Sequence, residues 1–270
     1  MSRRVCITGI GWVTPLGCEI ESVWKRLLNG DSGVGPTEIF DASAYPTTFS
    51  AQVKDFDLAA ALGDRYDAHK TASRNAAFSI GAALQAWADC GLDPSDVDPE
   101  MCGVYLGAGE GPIDSDHFIG AAVAGWDAES RQLDAMKWGE RAYATMNASR
   151  EFEQDPNSAA CHLAYLFNAQ GPNLNTLTAC SASTQAIGEA SCIIQRGDAD
   201  VMISGGAHSM IHPLGVTGFN LLTALSTRND SWRTASRPFS ATSTDAPALR
   251  STKISNEMKF SQSSLLPINC

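Results

Sequence analysis

The sequence predicts an α/β chain built around a mainly parallel sheet. Three observations carry that prediction. Short apolar runs of strand type, at residues 5–10, 102–107 and 200–206, alternate with longer stretches whose apolar residues recur at helical spacing. Glycine closes the helical stretches, at Gly30, Gly91 and Gly197. The passage from Gly171 to Gly206 reads as strand, turn, helix, strand.

Residues 5–10 read as a buried strand, followed by a Gly/Pro loop and a helix over 19–28 with Trp24, Leu27 and Leu28 on its apolar side. Residues 31–57 are rich in turn formers and read as a surface excursion with a short extended piece at 49–53. Between Lys70 and Cys90 the residues Ala76, Ile80, Ala83, Leu84 and Trp87 share one face of a helix that Gly91 ends. The strand at 102–107 runs into the glycine-rich turn Gly107-Ala108-Gly109-Glu110-Gly111. That turn is no dinucleotide fingerprint, because Pro112 and Asp114 replace the third glycine and the immediate helix such a site requires.

Residues 113–153 read as a cap or dimer-proximal region with a helix over 129–146, in which Trp126, Trp138 and Tyr143 serve packing. Asp155-Pro156 carries helix-start chemistry for a helix running to Phe167. Within it, Cys161 and His162 are adjacent and so point about 100° apart, too divergent for a thiol–imidazole pair. His208 and His212 are four residues apart, but no third ligand is placed beside them and Pro213 breaks the run, so no metal site is assigned. His69 and His117 have no recognisable context.

At 44% hydrophobic and 18% charged residues, the 270-residue chain has the composition of a globular protein with room for one large domain or two small ones. Its net charge of -11 argues against nucleic acid or an anionic membrane as a partner. Arg3 and Arg4 lead directly into a strand pattern rather than an apolar leader, which makes the cytoplasm the expected compartment. The 8 cysteines form no C-x-x-C pair, so buried, reduced thiols are expected rather than a zinc ribbon or disulfide framework.

One cysteine stands apart. Residues 174–179 read as a strand, and from Ser181 onward Ile187, Ala190 and Ile194 mark a helical face, so Cys180 falls between a strand end and a helix start. The first turn of a helix offers unpaired amide protons and the positive end of the peptide dipoles, both of which stabilise a thiolate. Cysteines beside alanines more commonly pack as small hydrophobes, so position alone does not assign a nucleophile.

A resemblance decides the assignment. Gly171-Pro172-Asn173 through Thr178-Ala179-Cys180-Ser181-Ala182, the run Pro213-Leu214-Gly215-Val216-Thr217-Gly218-Phe219, and Ala224-Leu225-Ser226-Thr227-Arg228-Asn229-Asp230 closely resemble the elongating β-ketoacyl-[acyl carrier protein] synthases. The opening from Val5 to Gly17 resembles their first strand and loop. The likeness covers residues 3–239, which are expected to form an N-terminal ketosynthase domain (1–239), with 240–270 an irregular polar tail.

The resemblance implies a thiolase-like, layered α/β/α/β/α architecture of which this chain holds the N-terminal half. It implies that Cys180 takes an acyl group from an acyl carrier protein, that its backbone N–H forms half of an oxyanion hole, and that Thr178, Ala179, Ser181 and Ala182 shape the site. Gly109 and Glu110 fall where such enzymes line the acyl pocket, Glu110 replacing an apolar residue. Condensation with a malonyl thioester in that family also uses two histidines and a lysine from a second repeat, and no matching motif follows Phe239. No metal or organic cofactor is implied. The expected partners are acyl carrier protein and either a second copy of the chain or a complete homologue. A polyketide-type or thiolase-like condensing enzyme and a non-catalytic dimerisation partner remain as alternatives. Half of such a sandwich should leave an apolar helix layer uncovered and the chain marginally stable.

Overall fold

The structure is a computed structural model that describes residues 3–109 and 111–237 and, as backbone, the strand at 263–269. The first predicted strand shrinks to β1 (Cys6–Ile7), and β2 (Gly11–Val13) forms in the stretch read as a loop, both on one edge of a six-stranded sheet. That edge position leaves Cys6 and Ile7 exposed, where burial was expected, while Val13 is fully buried. α1 (Ile20–Leu28) is capped by the Glu19 carboxylate, which accepts the Glu21 and Ser22 amides. Its expected apolar side does not pack: Val23 is buried, whereas Trp24, Leu27 and Leu28 are 51%, 48% and 70% exposed.

The excursion holds a two-stranded ladder of β3 (Val34–Pro36) and β4 (Phe49–Ala51), then α2 (Leu58–Leu62) and a 3₁₀ turn at Gly63–His69. α3 (Arg74–Cys90) follows the predicted register, with Ala76, Ile80 and Ala83 buried and Gly91 taking the left-handed closing conformation at φ 68°. β5 (Cys102–Ala108) is the expected buried strand.

The cap region departs from expectation. α4 (Ser115–Gly125) was not foreseen, and β6 (Trp126–Asp127) and β7 (Gln132–Leu133) form a hairpin over part of the predicted helix. α5 (Ala135–Thr145) starts only where Asp134 accepts the Met136 and Lys137 amides. Asp127 holds the Glu129 and Ser130 amides in the hairpin turn, which takes 129–133 out of the helix. α6 (Ala148–Phe152) precedes α7 (Ser158–Phe167), which begins two residues after Pro156 because Asp155 turns the chain by accepting the Asn157 amide.

β8 (Asn173–Asn175), α8 (Ala182–Arg196), β9 (Val201–Ala207) and α9 (Pro213–Leu221) complete the main unit, and β10 (Ser263–Asn269) comes from the region expected to be irregular. That expectation fails over 263–269: β10 lies between β9 and the N-terminal strands, antiparallel to all three. The rest of the tail, residues 240–262 and Cys270, lies outside the described residues. β5 is parallel to both β8 and β9, so the sheet is mixed and its site-bearing half is parallel.

Alternate residues of β5 and β9 serve two cores. Val104, Leu106, Val201 and Ile203 pack with Ile80 of α3 and Leu163 of α7, whereas Met202 packs with Ala190, Ile193 and Ile194 of α8. The result is three layers, helix on sheet on helix. The outer face of α8 does not carry the expected large apolar surface. Its exposed positions are Thr184, Gln185, Gly188, Glu189, Cys192, Gln195 and Arg196. Prominent exposed apolar side chains are spread over several other helices instead, among them Leu28 of α1 at 70%, Val123 of α4 at 70%, Met136 and Tyr143 of α5 at 74% and 95%, and Leu221 of α9 at 79% exposed.

Candidate active site

The site is assembled where the ends of β5, β8 and β9 meet the start of α8. β8 stops at Asn175, short of the predicted strand end. The Asn175 side chain then takes over the ladder, accepting the Ala108 amide at 3.0 Å and donating to the Ala108 carbonyl at 3.1 Å. The Thr176 amide donates to Leu106 O at 2.8 Å, so the chain leaving β8 stays tied to β5.

From there the backbone turns sharply. Ala179 sits at φ 51°, a left-handed conformation that costs a residue with a Cβ about 1–2 kcal/mol. It opens a 3₁₀ turn, Ala179–Ser181, whose middle residue is Cys180. Cys180 is exposed. The Ser181 hydroxyl donates back to Thr178 O at 2.8 Å and does not cap α8. The amides of the first turn of α8 are therefore not taken by the Ser181 side chain, and the positive end of the helix stays directed at the Cys180 segment. Thr178 Oγ1 bonds Gln185 Oε1 at 3.0 Å, fixing the turn to the helix.

Glycines let the backbones converge. A Cβ on Gly107 would collide with the Ala182 carbonyl and the Ser183 amide, so the end of β5 lies directly against the first turn of α8. Gly109, two residues further on, packs against the His208 ring and its carbonyl lies 3.5 Å from Asn75 Nδ2. Glu110 lies outside the described residues. Thr178, Ala179, Ser181 and Ala182 thus gather about Cys180, and Gly109 stands on the neighbouring strand end.

Cys102 is buried, and burial pushes its thiol up to about 11. Burial also raises Cys18 and Cys161. The expectation of mostly buried thiols is not met, since Cys6, Cys161, Cys180 and Cys192 are all exposed. Cys161 accepts from Asn157 Nδ2 rather than pairing with His162. His212 accepts the Gly215 amide as a helix cap at the start of α9. Among the described residues no group of three or more His, Cys, Asp and Glu is placed to hold a metal ion, and no helix is long and apolar enough to cross a membrane.

Two features escaped the sequence reading. One is the backbone strain at Ala179, for which alanine gives no signal. The other is a contact between His69 and His162, whose Nδ1 atoms are 2.9 Å apart although 93 residues separate them in sequence.

Residues 2–246 match the family model "Beta-ketoacyl synthase, N-terminal domain". The chain belongs to the β-ketoacyl synthase family. Among curated relatives it is 36% identical over 245 residues to 3-oxoacyl-[acyl-carrier-protein] synthase 2 of Coxiella burnetii. It is 37% identical over 237 residues to the protein of that name in Synechocystis sp.. Each match covers 88% of this chain and 53% of the relative, so the chain spans about half the length of the β-ketoacyl synthases it matches.

Solved ketosynthases share the fold. A β-ketoacyl synthase from Burkholderia phymatum aligns with a TM-score of 0.73 at 22% identity, covering 100% of this chain and 59% of that one. A type II polyketide ketosynthase in complex with its acyl-carrier protein and bound to the hexaketide aligns with a TM-score of 0.71 at 23% identity, covering 100% of this chain and 58% of that one. The three layers described above are thus the N-terminal part of the thiolase-like ketosynthase fold.

Proposed function

We propose that Cys180 is the acyl-accepting nucleophile of a 3-oxoacyl-[acyl carrier protein] synthase of fatty-acid biosynthesis. The observation that carries this reading is the exposed thiol on the strained Ala179–Ser181 turn at the start of α8. The Cys180 thiolate attacks the thioester carbonyl of an acyl carrier protein, and the tetrahedral intermediate collapses with release of the carrier thiolate, which takes up a proton. The acyl group is then held as a thioester on Sγ. The Cys180 N–H supplies one donor to the oxyanion, in the electropositive field of α8. Thr178, Ala179, Ser181 and Ala182 set the thiol's geometry, while Gly109 borders the acyl chain.

The second half-reaction decarboxylates a malonyl thioester with release of carbon dioxide and joins the resulting carbanion to the Cys180-bound acyl carbon, whose bond to Sγ breaks to return the Cys180 thiolate. In the family this uses histidines and a lysine for which this sequence has no match. The acyl-transfer step is the one for which this chain supplies the candidate residues. Among the described residues β8 is an edge strand, with its Leu174 43% exposed and Leu177, just beyond its end, 55% exposed, which suits pairing with a second copy or a complete homologue. The cytoplasm is the matching compartment.

A polyketide role is the second reading, favoured by the fold shared with a type II polyketide ketosynthase. Incubation of the chain with acyl carrier proteins of either pathway, followed by intact-mass measurement, tests both readings. The expected result is an acyl adduct on the chain that Cys180→Ala abolishes. A folded chain that takes no adduct from any carrier overturns the nucleophile assignment.

A further inference from the structure

Outside the Cys180 site, the largest concentration of buried ionisable chemistry is formed by His69, His162 and Glu153. His69 is 1% exposed and Glu153 7% exposed. His162, on α7, is held at both ring nitrogens, with Nε2 2.9 Å from Glu153 Oε1 and Nδ1 2.9 Å from His69 Nδ1. The second Glu153 oxygen accepts the Ser73 amide at 2.9 Å, at the residue that caps α3. The cluster therefore ties three separate pieces of chain together: the 3₁₀ turn ending at His69, the start of α3, and α7.

We propose that this cluster is an acid-sensitive latch, which keeps one proton between two facing imidazoles and opens when a second arrives. The reasoning is geometric. A 2.9 Å contact between two Nδ1 atoms needs one of them protonated and the other bare. With both rings neutral, His69 donates from Nδ1 and His162 donates from Nε2 to the carboxylate. With one added proton, His162 becomes an imidazolium that donates to both Glu153 and a His69 ring now protonated on Nε2. Both states satisfy every contact. With both rings charged, two N–H groups face each other and the contact must break.

The surroundings resist that second proton. Burial holds the His69 imidazole below its ordinary value of 6.5, and the charges of His162 and Arg65 push it further in the same direction. The Tyr165 ring covers His69 from α7, with centroids 5.7 Å apart. Burial alone would raise the Glu153 carboxyl, but hydrogen bonds from His162, the Ser73 amide and Ser158 outweigh it and hold the group below 4.5. Asp155 and Cys161 are the other titratable neighbours, the Cys161 thiol being raised by burial and by the charges of Asp155 and Glu153.

The latch bears on the site through one turn. The Gly111 amide donates to Gln154 O at 3.2 Å, and a Cβ on Gly111 would collide with the Glu153 carbonyl. The turn that follows β5 is thus seated on the Glu153 segment. Parting the two rings releases the 3₁₀ turn that ends at His69, four residues before Ser73, from α7, and so loosens the packing on which the Glu153 contacts to Ser73 and to the Gly111 turn rest.

The sign of the linkage follows from the shifts. A histidine with a depressed folded pKa costs nothing well above 6.5 and destabilises the fold as the pH drops below it, because the unfolded chain then binds the proton more readily. The folding constant falls by up to about tenfold per pH unit in that window. The Glu153 contribution is present above 4.5 and is lost only below it.

Histidine-ring nitrogen NMR on the full chain, with amide signals of Ser73 and Gly111 followed in the same samples, tests the proposal independently of acyl transfer. On acidification the pair should take up one proton with both amides unmoved, and uptake of the second should coincide with loss of their native signals. In His69→Phe, which keeps a ring of similar size, that loss should shift from the window below 6.5 to the window below 4.5. Independent titration of both rings with unmoved amides overturns the latch. So does an amide response unchanged by His69→Phe.

Discussion

The two faces of the sheet are built on different scales. On the α3 and α7 face, Ile80, Val104, Leu106, Leu163 and Ile203 are essentially fully buried, and each side chain of this kind contributes about 1.5–3 kcal/mol of transfer free energy. On the α8 face the buried positions Ala182, Ala186 and Ala190 are small until Ile193 and Ile194 are reached. Alanines near the N-terminus of α8 let its first turn lie against Gly107 and Gly206, which brings the Cys180 turn onto the strand ends. One face holds the fold together and the other positions a thiol.

Substitutions can break or sharpen that contrast. Leu163→Ala, on the large-residue face, should cost about 2–5 kcal/mol in urea unfolding of the full chain, because it removes a wholly buried side chain and leaves a cavity. Gly107→Ala, at the junction, should cost about 1–3 kcal/mol, since the methyl must displace the backbone of α8. Its acylation rate at Cys180 should fall by more than this stability loss explains. Equal effects on stability and acylation, measured by unfolding and intact mass, would mean that the first turn of α8 does not position the thiol. Cys192→Ser, on the outer surface of α8, should shift stability by less than about 0.5 kcal/mol, and a larger change would mean that this face is covered.

The parts of the fold that were legible in the sequence are those encoded by local repetition. α3, β5 and α8 announce themselves through apolar spacing because each is packed along most of its length. α1 shows the limit of that signal. Trp24, Leu27 and Leu28 have the spacing of a buried stripe, yet the stripe has nothing to pack on among the described residues. In the cap, Asp127 and Asp134 redirect the backbone by accepting amides, a competition that periodicity does not register.

At the site, position placed Cys180 between a strand and a helix, and only resemblance singled it out as the candidate nucleophile. The left-handed Ala179 was not, because the conformation is imposed by the strand ends around it rather than by its own side chain. The latch was hidden for a similar reason. His162 was set aside with its sequence neighbour Cys161, while its partners His69 and Glu153 reach it only through the tertiary fold.

β10 has a consequence for the order in which the sheet can be completed. It pairs Cys6 with Asn269 on one side and Val201 with Asn269 on the other, so the N-terminal strands have no direct ladder to β9. During synthesis, β1 and β2 leave the ribosome long before the segment that joins them to the sheet. Until residues 263–269 emerge, β9 presents an open edge to the cell, and its hydrogen-bonding groups are free to recruit any extended chain that arrives first.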